Sequence, residues 1–226
     1  MTINEIISSI RNTVKSRTDD SNFSDEYLYG LIKSFRAMLL KRRAEQHKPI
    51  SRFNYQSLCV ELTTRSGTDC VDCTKDLSCC ILRSVQKIPA TIHGRNTDLM
   101  KVRLFNGQEI SQVENYTAYK SLQHTKTRAG KMAYAIIDGR LELYGNDLLK
   151  YIVVEGPFND PTDLVDFHSC GSDNTESCYD IRSDNFPIEE SLVPTLRELV
   201  YKELSVSINL ADDTKNDSTP NAPNQI

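Results

Sequence analysis

"SDEYLYGLIKSFRAMLLKRRAEQ", residues 24–46, has the pattern of an amphipathic helix. Its apolar residues recur at intervals of three and four, which places side chains on one face of an α-helix; they are Leu28, Leu31, Ile32, Phe35 and Leu39. Ser24 can cap this helix, and Asp25 and Glu26 stand in its first turn, where the helix dipole favours negative charge. The stretch therefore predicts one long helix with a single apolar face.

Two further stretches predict helices on either side of the chain's middle. In "TINEIISSIRNTVKS", Thr2 and Glu5 have the spacing of a capping box, and an isoleucine stripe follows. In "PIEESLVPTLRELVYKEL", Pro187 opens a leucine-rich helical pattern, and Pro194 indicates either a later true start or a kink. Three apolar stripes of this kind can close into one bundle.

The middle of the chain has the features of β structure instead. Two pairs of turn residues, Asn106-Gly107 and Asp138-Gly139, each separate short runs with strand character, which is a strong signal for a β-hairpin. The segment "LKYIVVEGPF" then ends a strand at Gly156-Pro157. These features predict a small, mostly antiparallel sheet structure.

The predicted fold class is therefore α+β: a helical bundle of two N-terminal helices and one C-terminal helix, with an inserted, mostly antiparallel β domain. We expect residues 1–52 and 186–210 to form the bundle and residues 53–160 to form the β domain. Residues 161–185 are predicted to be a cysteine-containing loop. Residues 211–226 have almost no apolar side chains, so we expect them to be disordered unless they bind a partner.

Charge and hydropathy narrow the possible partners. The net charge is −4, from 27 basic and 31 acidic residues, which gives no overall electrostatic case for nucleic acid or an anionic membrane as the main partner. The N-terminus lacks the continuous apolar stretch of a secretory signal. No later apolar run approaches the length of about 18 residues that a membrane span needs. We therefore expect a soluble protein made in the cytosol, with no membrane partner.

The stretch "CVDCTKDLSCC", residues 70–80, holds four of the seven cysteines. A zinc site could use Cys70, Cys73 and one of Cys79 and Cys80. The sequence lacks a second Cys-x-x-Cys pair at finger-like distance, which would be strong evidence for such a site. A later loop holds further possible ligands, namely His168, Cys170 and Cys178. Metal binding stays an alternative, and the main expectation is that the protein needs no metal.

Redox catalysis by the same cysteines is disfavoured by charge. Asp69, Asp72 and Asp76 surround them, and nearby carboxylates raise a thiol pKa rather than lower it. A structural role remains, either as small buried side chains or as a disulfide. Whether Cys79 or Cys80 packs against or pairs with one of the cysteines of the later loop, Cys170 and Cys178, is open at this stage.

No catalytic constellation is recognisable in the sequence. The four histidines are scattered, none lies in a nucleophile context, and there is no glycine-rich phosphate loop. We therefore predict that the chain is not an enzyme, with no catalytic residues and no cofactor.

Five basic residues load the second helix toward its C-terminal end: Lys33, Arg36, Lys41, Arg42 and Arg43. Cations there can complement the negative end of the helix dipole and solvate the outer face. They can also form a contact surface for phosphates or for an acidic partner. Combined with zinc binding, the second possibility defines the alternative function, a zinc-stabilised nucleic-acid-binding module.

Several segments together resemble the ring proteins of the head–tail connector of short-tailed phages, closest to those of crAss-like phages. The resemblance covers about residues 15 to 210 and depends on the order and spacing of "DDSNFSDEYLYGLIKSFRAMLLKRR", "YQSLCVEL", "CCILRSVQKIPATI", "KYIVVEGPFNDPTDLVDF" and "CYDIRSDNFPIEESLVPTLRELVYKEL". It implies cysteines near Cys59, Cys80, Cys170 and Cys178, whereas "CVDC" looks like a local addition.

The resemblance also implies a function. A protein of this kind is a structural part of the virion, assembled in the host cytoplasm, which forms a homo-oligomeric ring of about twelve copies to match the portal. Its partners would be the portal protein and other ring or tail proteins. Genomic DNA would pass through the channel without sequence-specific binding.

Overall fold

The structure is a computed structural model that describes residues 1–15, 23–64, 81–93, 99–127, 129–146, 148–167, 180 and 184–212, with no side chains described for 206–212. The described part contains four α-helices: α1 (Ile3–Lys15), α2 (Asp25–Glu45), α3 (Tyr116–Gln123) and α4 (Val193–Asp212). It also contains seven strands: β1 (Gln56–Thr64), β2 (Leu82–Ser84), β3 (Lys101–Arg103), β4 (Glu109–Gln112), β5 (Ala133–Ile137), β6 (Arg140–Tyr144) and β7 (Tyr151–Gly156).

The seven strands close into a barrel in the order β1-β2-β6-β5-β4-β3-β7. The closing pair is β1 with β7, antiparallel from Gln56 opposite Gly156 to Glu61 opposite Tyr151. Inward-pointing side chains of the strands fill the barrel, among them Leu58, Val60, Leu62, Val102, Leu141, Leu143, Ile152 and Val154. Closure leaves this sheet without an unpaired edge, which protects it from pairing with another chain.

This architecture corrects the predicted fold class. The chain is not a helical bundle with an inserted, mostly antiparallel β domain, because the strands form a closed seven-stranded barrel and a fourth helix, α3, lies between β4 and β5. That helix is a crossover connection, which allows β4 and β5 to pair in parallel. Closure depends on pairs between segments far apart in the chain, and local patterns carry no information about such pairs.

The local turn and cap signals are confirmed. Thr2 and Glu5 form a reciprocal capping box, with Thr2 N donating to Glu5 Oε2 at 2.8 Å and Glu5 N donating to Thr2 Oγ1 at 3.3 Å. Ser24 Oγ accepts from Tyr27 N at 3.2 Å and caps α2. Asp138 and Gly139 both adopt positive φ in the β5–β6 turn, as a tight hairpin of this kind requires.

The last helix begins late. A short 3₁₀ turn, Glu190–Leu192, precedes α4, which starts at Val193 with Pro194 in its first turn. Proline is tolerated there because the first helical N–H groups have no partner within the helix. Of the two alternatives for Pro194, the structure therefore shows a late start rather than a kink.

Three helices, α1, α2 and α4, pack together through one apolar cluster, and we call them the helical layer. The cluster is built mainly from isoleucine and leucine, including Ile6, Ile10, Leu28, Ile32, Leu40, Leu196 and Val200. Ile92, from the segment between β2 and β3, joins the same cluster. Since Ile92 N donates to Pro157 O just beyond β7, the helical layer lies at the end of the barrel where β7 finishes.

Arg36 of α2 joins the helical layer to the barrel. Its side chain is fully buried, and its three guanidinium nitrogens donate to three backbone carbonyls. Nε donates to Pro187 O at 2.6 Å, Nη1 to Phe158 O at 2.7 Å and Nη2 to Asn54 O at 3.3 Å. These acceptors belong to the segment before α4, the segment after β7 and the segment before β1, so one side chain connects all three.

We expect Arg36→Ala to lower the free energy of unfolding by about 3 kcal/mol or more, because three buried carbonyls lose a charged donor. Arg36→Lys should recover only part of this loss, since an ammonium cannot reproduce the planar fork of donors. Urea denaturation measures both variants. The matched control is Arg42→Ala, an exposed position on the same helix, which should change stability by no more than about 0.5 kcal/mol; equal losses at both positions would contradict the role of Arg36.

Candidate functional site

The structure does not gather the five predicted basic residues into one surface. Arg36 is buried, and therefore it is not part of any contact surface. Lys33 Nζ lies 2.5 Å from Asp160 Oδ2, and Arg43 Nη1 lies 2.6 Å from Glu189 Oε2. Of the five, Lys41 and Arg42 are exposed. Three of the five cations, Arg36, Lys33 and Arg43, are therefore engaged in contacts within the chain.

Asp160 organises the contact between α2 and the segment after β7. Besides Lys33, it accepts a hydrogen bond from the Tyr29 hydroxyl at 3.2 Å, and its Oδ1 accepts from Thr162 N at 3.0 Å and Thr162 Oγ1 at 2.7 Å. Burial would raise the pKa of Asp160, but the hydrogen bonds from Lys33 and Thr162 outweigh burial and lower it. The carboxylate is therefore charged in the folded protein at neutral pH.

Glu189, in the segment before α4, is a second carboxylate that pairs with a cation of α2. Its carboxylate accepts from Ser191 Oγ at 2.6 Å and from Arg43, and these hydrogen bonds lower its pKa. Its backbone N–H donates to Asn54 Oδ1 at 3.1 Å. Asn54 is itself fully buried, so this side of α2 is tied to the segment that leads into β1.

The cysteine predictions are not tested by these contacts. Cys79, Cys80, Cys170 and Cys178 lie outside the described residues, as do Cys70, Cys73 and His168. Cys59 on β1 is the one cysteine in the described part of the chain, and it is disulfide-bonded.

Within the described ranges, no group of three or more His, Cys, Asp or Glu side chains is placed to hold a metal ion. Among the helices that the structure describes, none has both the length and the apolar character needed to cross a membrane.

The described residues line two grooves, and α2 contributes to the lining of the first of them. The first, which we call the α2 groove, has a volume of about 510 Å³ and is lined by Lys33, Ser34, Ala37, Met38, Lys41, Thr91, Ile92, His93, Asn159 and Asp160. The second, the Phe53 groove, has a volume of about 640 Å³ and its lining includes Met1, Phe53, Tyr55, Ser57, Asp184, Phe186, Glu189, Glu190 and Val193. Phe53 is 76% exposed although it is a large aromatic residue.

Sequence reasoning missed most of these residues. Phe53 stands between polar residues with no periodic apolar neighbours, so no pattern marks it. Asp160 and Glu189 become partners of α2 only through the tertiary fold. A signal for Arg36 did exist, because Ile32, Arg36 and Leu40 stand four residues apart and therefore in one row of a helix, and both apolar neighbours are buried.

The distal barrel end, opposite the helical layer, also exposes apolar side chains. Leu148 is 85% exposed in the loop before β7, and Phe105 is 61% exposed in the turn between β3 and β4. Because β3 ends and β7 begins at this end, both residues lie at the end of the barrel away from the helical layer. Exposed aromatic and aliphatic side chains on short turns are available as anchors for protein–protein contacts.

Comparisons with known proteins define the class. The family described as "Phage tail ring protein 2" matches residues 5–225 of this chain. The "Ring protein 2" of Bacteroides phage crAss001 is 28% identical over 237 residues, an alignment that covers 98% of this chain and 100% of that protein. The class is therefore that of structural proteins of a phage tail ring, which disfavours an enzymatic role.

The chain belongs to the phage tail ring protein 2 family. The resemblance to ring proteins of crAss-like phages that the sequence motifs indicated is confirmed by the family match and by this relative.

We expect Asp160→Asn to lower the free energy of unfolding at pH 7 by about 1–3 kcal/mol, because a charged, hydrogen-bonded carboxylate is lost. The pKa of Asp160 is lowered in the folded state, so its stabilising effect is complete above its ordinary pKa of about 4 and declines as the pH falls below that value. Urea denaturation at pH 7 and pH 3 should show the difference between wild type and variant shrinking at the lower pH.

Asp163 provides a matched control for this prediction. Burial raises its pKa, and the neighbouring charges of Asp160 and Asp166 add to the increase. A raised pKa means that folding disfavours the charged form, so Asp163→Asn should leave stability at pH 7 unchanged or slightly higher. A loss for Asp160→Asn that is the same at pH 3 and pH 7 would contradict the charge-based explanation.

Proposed function

We propose that this chain forms a homo-oligomeric ring at the head–tail connector of a phage particle, where it joins the portal to the tail around the DNA exit channel. Family membership supports the ring. The placement between portal and tail is supported by exposed apolar side chains at two separate places on the subunit. Phe53 lies beside the helical layer, and Phe105 and Leu148 lie at the distal barrel end.

A connector subunit must keep its shape while it transmits load between the capsid and the tail. Arg36 fixes the helical layer against the barrel through buried hydrogen bonds, and the Lys33–Asp160 and Arg43–Glu189 pairs flank it along the same helix. Charged groups that are held by several hydrogen bonds resist rearrangement, because breaking one contact leaves a buried polar group unpaired. The subunit therefore suits a mechanical role.

In such a ring, the two sets of exposed apolar residues make contacts with different partners. In this proposal the helical layer packs sideways against copies of the same chain, about twelve in number to match the portal. The distal barrel end then contacts the next layer, either the portal protein or another ring or tail protein. Exposed aromatic residues are frequent energetic centres of protein interfaces, because they bury a large area at a small entropic cost.

The channel role requires DNA to pass without being held. The overall charge is −4, and α2 keeps Arg36, Lys33 and Arg43 engaged with acceptors of the same chain. Little of the predicted basic surface remains for phosphates, which favours the connector over a nucleic-acid-binding module. Assembly in the host cytoplasm is part of the same proposal.

Electron microscopy and mass spectrometry of purified phage particles test the placement. We expect the chain to be present in many equivalent copies that form a ring between portal and tail, with twelve copies per particle. The chain's absence from particles, or its presence as a single copy away from the neck, would contradict the proposal.

A second prediction follows if DNA passes through the ring without being held by it. At physiological ionic strength, about 0.15 M, double-stranded DNA on a column should not retain the purified chain, and the double variant Lys41→Glu, Arg42→Glu should behave in the same way. Retention that weakens steeply with added salt, and that the double variant abolishes, would instead support phosphate contacts on α2.

A further inference from the structure

We infer that neighbouring copies of this chain meet head to tail. Phe53 of one copy inserts into the α2 groove of the next copy, and Glu190 of the first copy pairs with Lys41 of the second. The inference rests on the proposed ring and assigns residues to its lateral contact. It follows from four properties of the two surfaces: shape, apolar content, charge and relative direction.

The α2 groove has the composition of a receptor for an aromatic side chain. Its volume is about 510 Å³, and its lining combines three apolar residues, Ala37, Met38 and Ile92, with polar ones. Lys41 and His93 lie at its rim and are exposed. The flexible side chain of Met38 can adapt to an inserted ring and make favourable sulfur–aromatic contacts.

Phe53 has the properties of the inserted group. It lies in the 3₁₀ turn Arg52–Asn54, and it is 76% exposed. The next residue, Asn54, is buried and holds the turn in place, because its side chain donates to Ser51 O at 3.2 Å and accepts from Glu189 N at 3.1 Å. An aromatic side chain on a fixed turn loses little entropy when it docks, which is a property of interface anchors.

The charges around the two surfaces are complementary. Glu190 and Asp184 are exposed carboxylates in the lining of the Phe53 groove, whereas Glu189 is already paired with Arg43. Lys41 offers an exposed cation at the α2 groove. Asp160 also lines the α2 groove, but it is already paired with Lys33, so Lys41 is the charge that the groove offers to a neighbouring copy.

The two surfaces also point in suitable directions. Each residue turns an α-helix by about 100°, so side chains two positions apart point about 160° away from each other. Arg43 reaches Glu189 at the Phe53 groove, whereas Lys41 lines the α2 groove, so the grooves lie on opposite sides of α2. A closed ring of many copies needs two different patches that face nearly opposite ways.

Charge reversal tests the pairing. Self-association of the full chain is measured by sedimentation velocity, and ring formation by negative-stain microscopy. Lys41→Glu alone and Glu190→Lys alone should each weaken association about tenfold or more, since each places like charges opposite one another. The double variant carries both changes in every subunit, so each contact regains an opposite-charge pair, and association should return toward the wild-type level.

Truncation of the anchor tests the apolar part. Phe53→Ser should weaken association at least about tenfold, as expected for the loss of a central aromatic anchor. The matched control is Phe105→Ser, because Phe105 is an exposed phenylalanine at the distal barrel end; this variant should associate laterally like wild type. Both positions are exposed, so circular dichroism melting should show both variants folded.

The outcomes separate this inference from the proposed function. Rings that form equally well with Phe53→Ser, or that the double charge variant does not restore, would overturn the assigned contact and leave the ring itself in place. A wild-type chain that forms no rings and is missing from particles would overturn the proposed function, and the contact with it.

Discussion

A buried guanidinium, that of Arg36, determines how the two parts of this protein are placed. Its donors point to three carbonyls whose segments are far apart in the chain, at Asn54, Phe158 and Pro187. The guanidinium is planar and rigid, so it is satisfied only when all three segments occupy their positions together. The ring of Phe186, with its centroid 5.7 Å from the guanidinium carbon, packs against the same group. The orientation of the helical layer on the barrel follows from this geometry.

The barrel provides the fixed frame for these carbonyls. Two of them, at Asn54 and Phe158, lie just outside the strands β1 and β7, which pair along their whole common length to close the barrel. The start of β1 and the end of β7 are therefore side by side at the end that meets α2. A slip of one residue in this pairing would turn the buried faces of both strands outward, and it would also move two of the acceptors of Arg36.

This arrangement disfavours a nucleic-acid-binding role for α2, although the helix carries five basic residues. Three of the five basic residues connect α2 to the rest of the chain, and the exposed positions that remain are Lys41 and Arg42. The surfaces left for partners are apolar anchors and mixed charges, as protein–protein contacts require. A member of a phage tail ring family with these surfaces is suited to assembly.

Local sequence determined the elements whose signals are local. The capping box of Thr2 and Glu5, the cap at Ser24 and the tight turn at Asp138-Gly139 were all predictable, because each depends on residues within a few positions. The motifs also identified the family. Helix α3 escaped notice because it is short and buries none of its residues fully.

Only the tertiary structure decided barrel closure, the parallel pairing of β4 with β5, and the roles of the basic residues. Each of these depends on groups brought together from distant parts of the chain. The row that Arg36 shares with Ile32 and Leu40 indicates burial, but the three carbonyls that bind its guanidinium come together only in the folded chain. The free energy of a charged side chain is set by the donors, acceptors and solvent around it, and that environment exists only once the chain has folded.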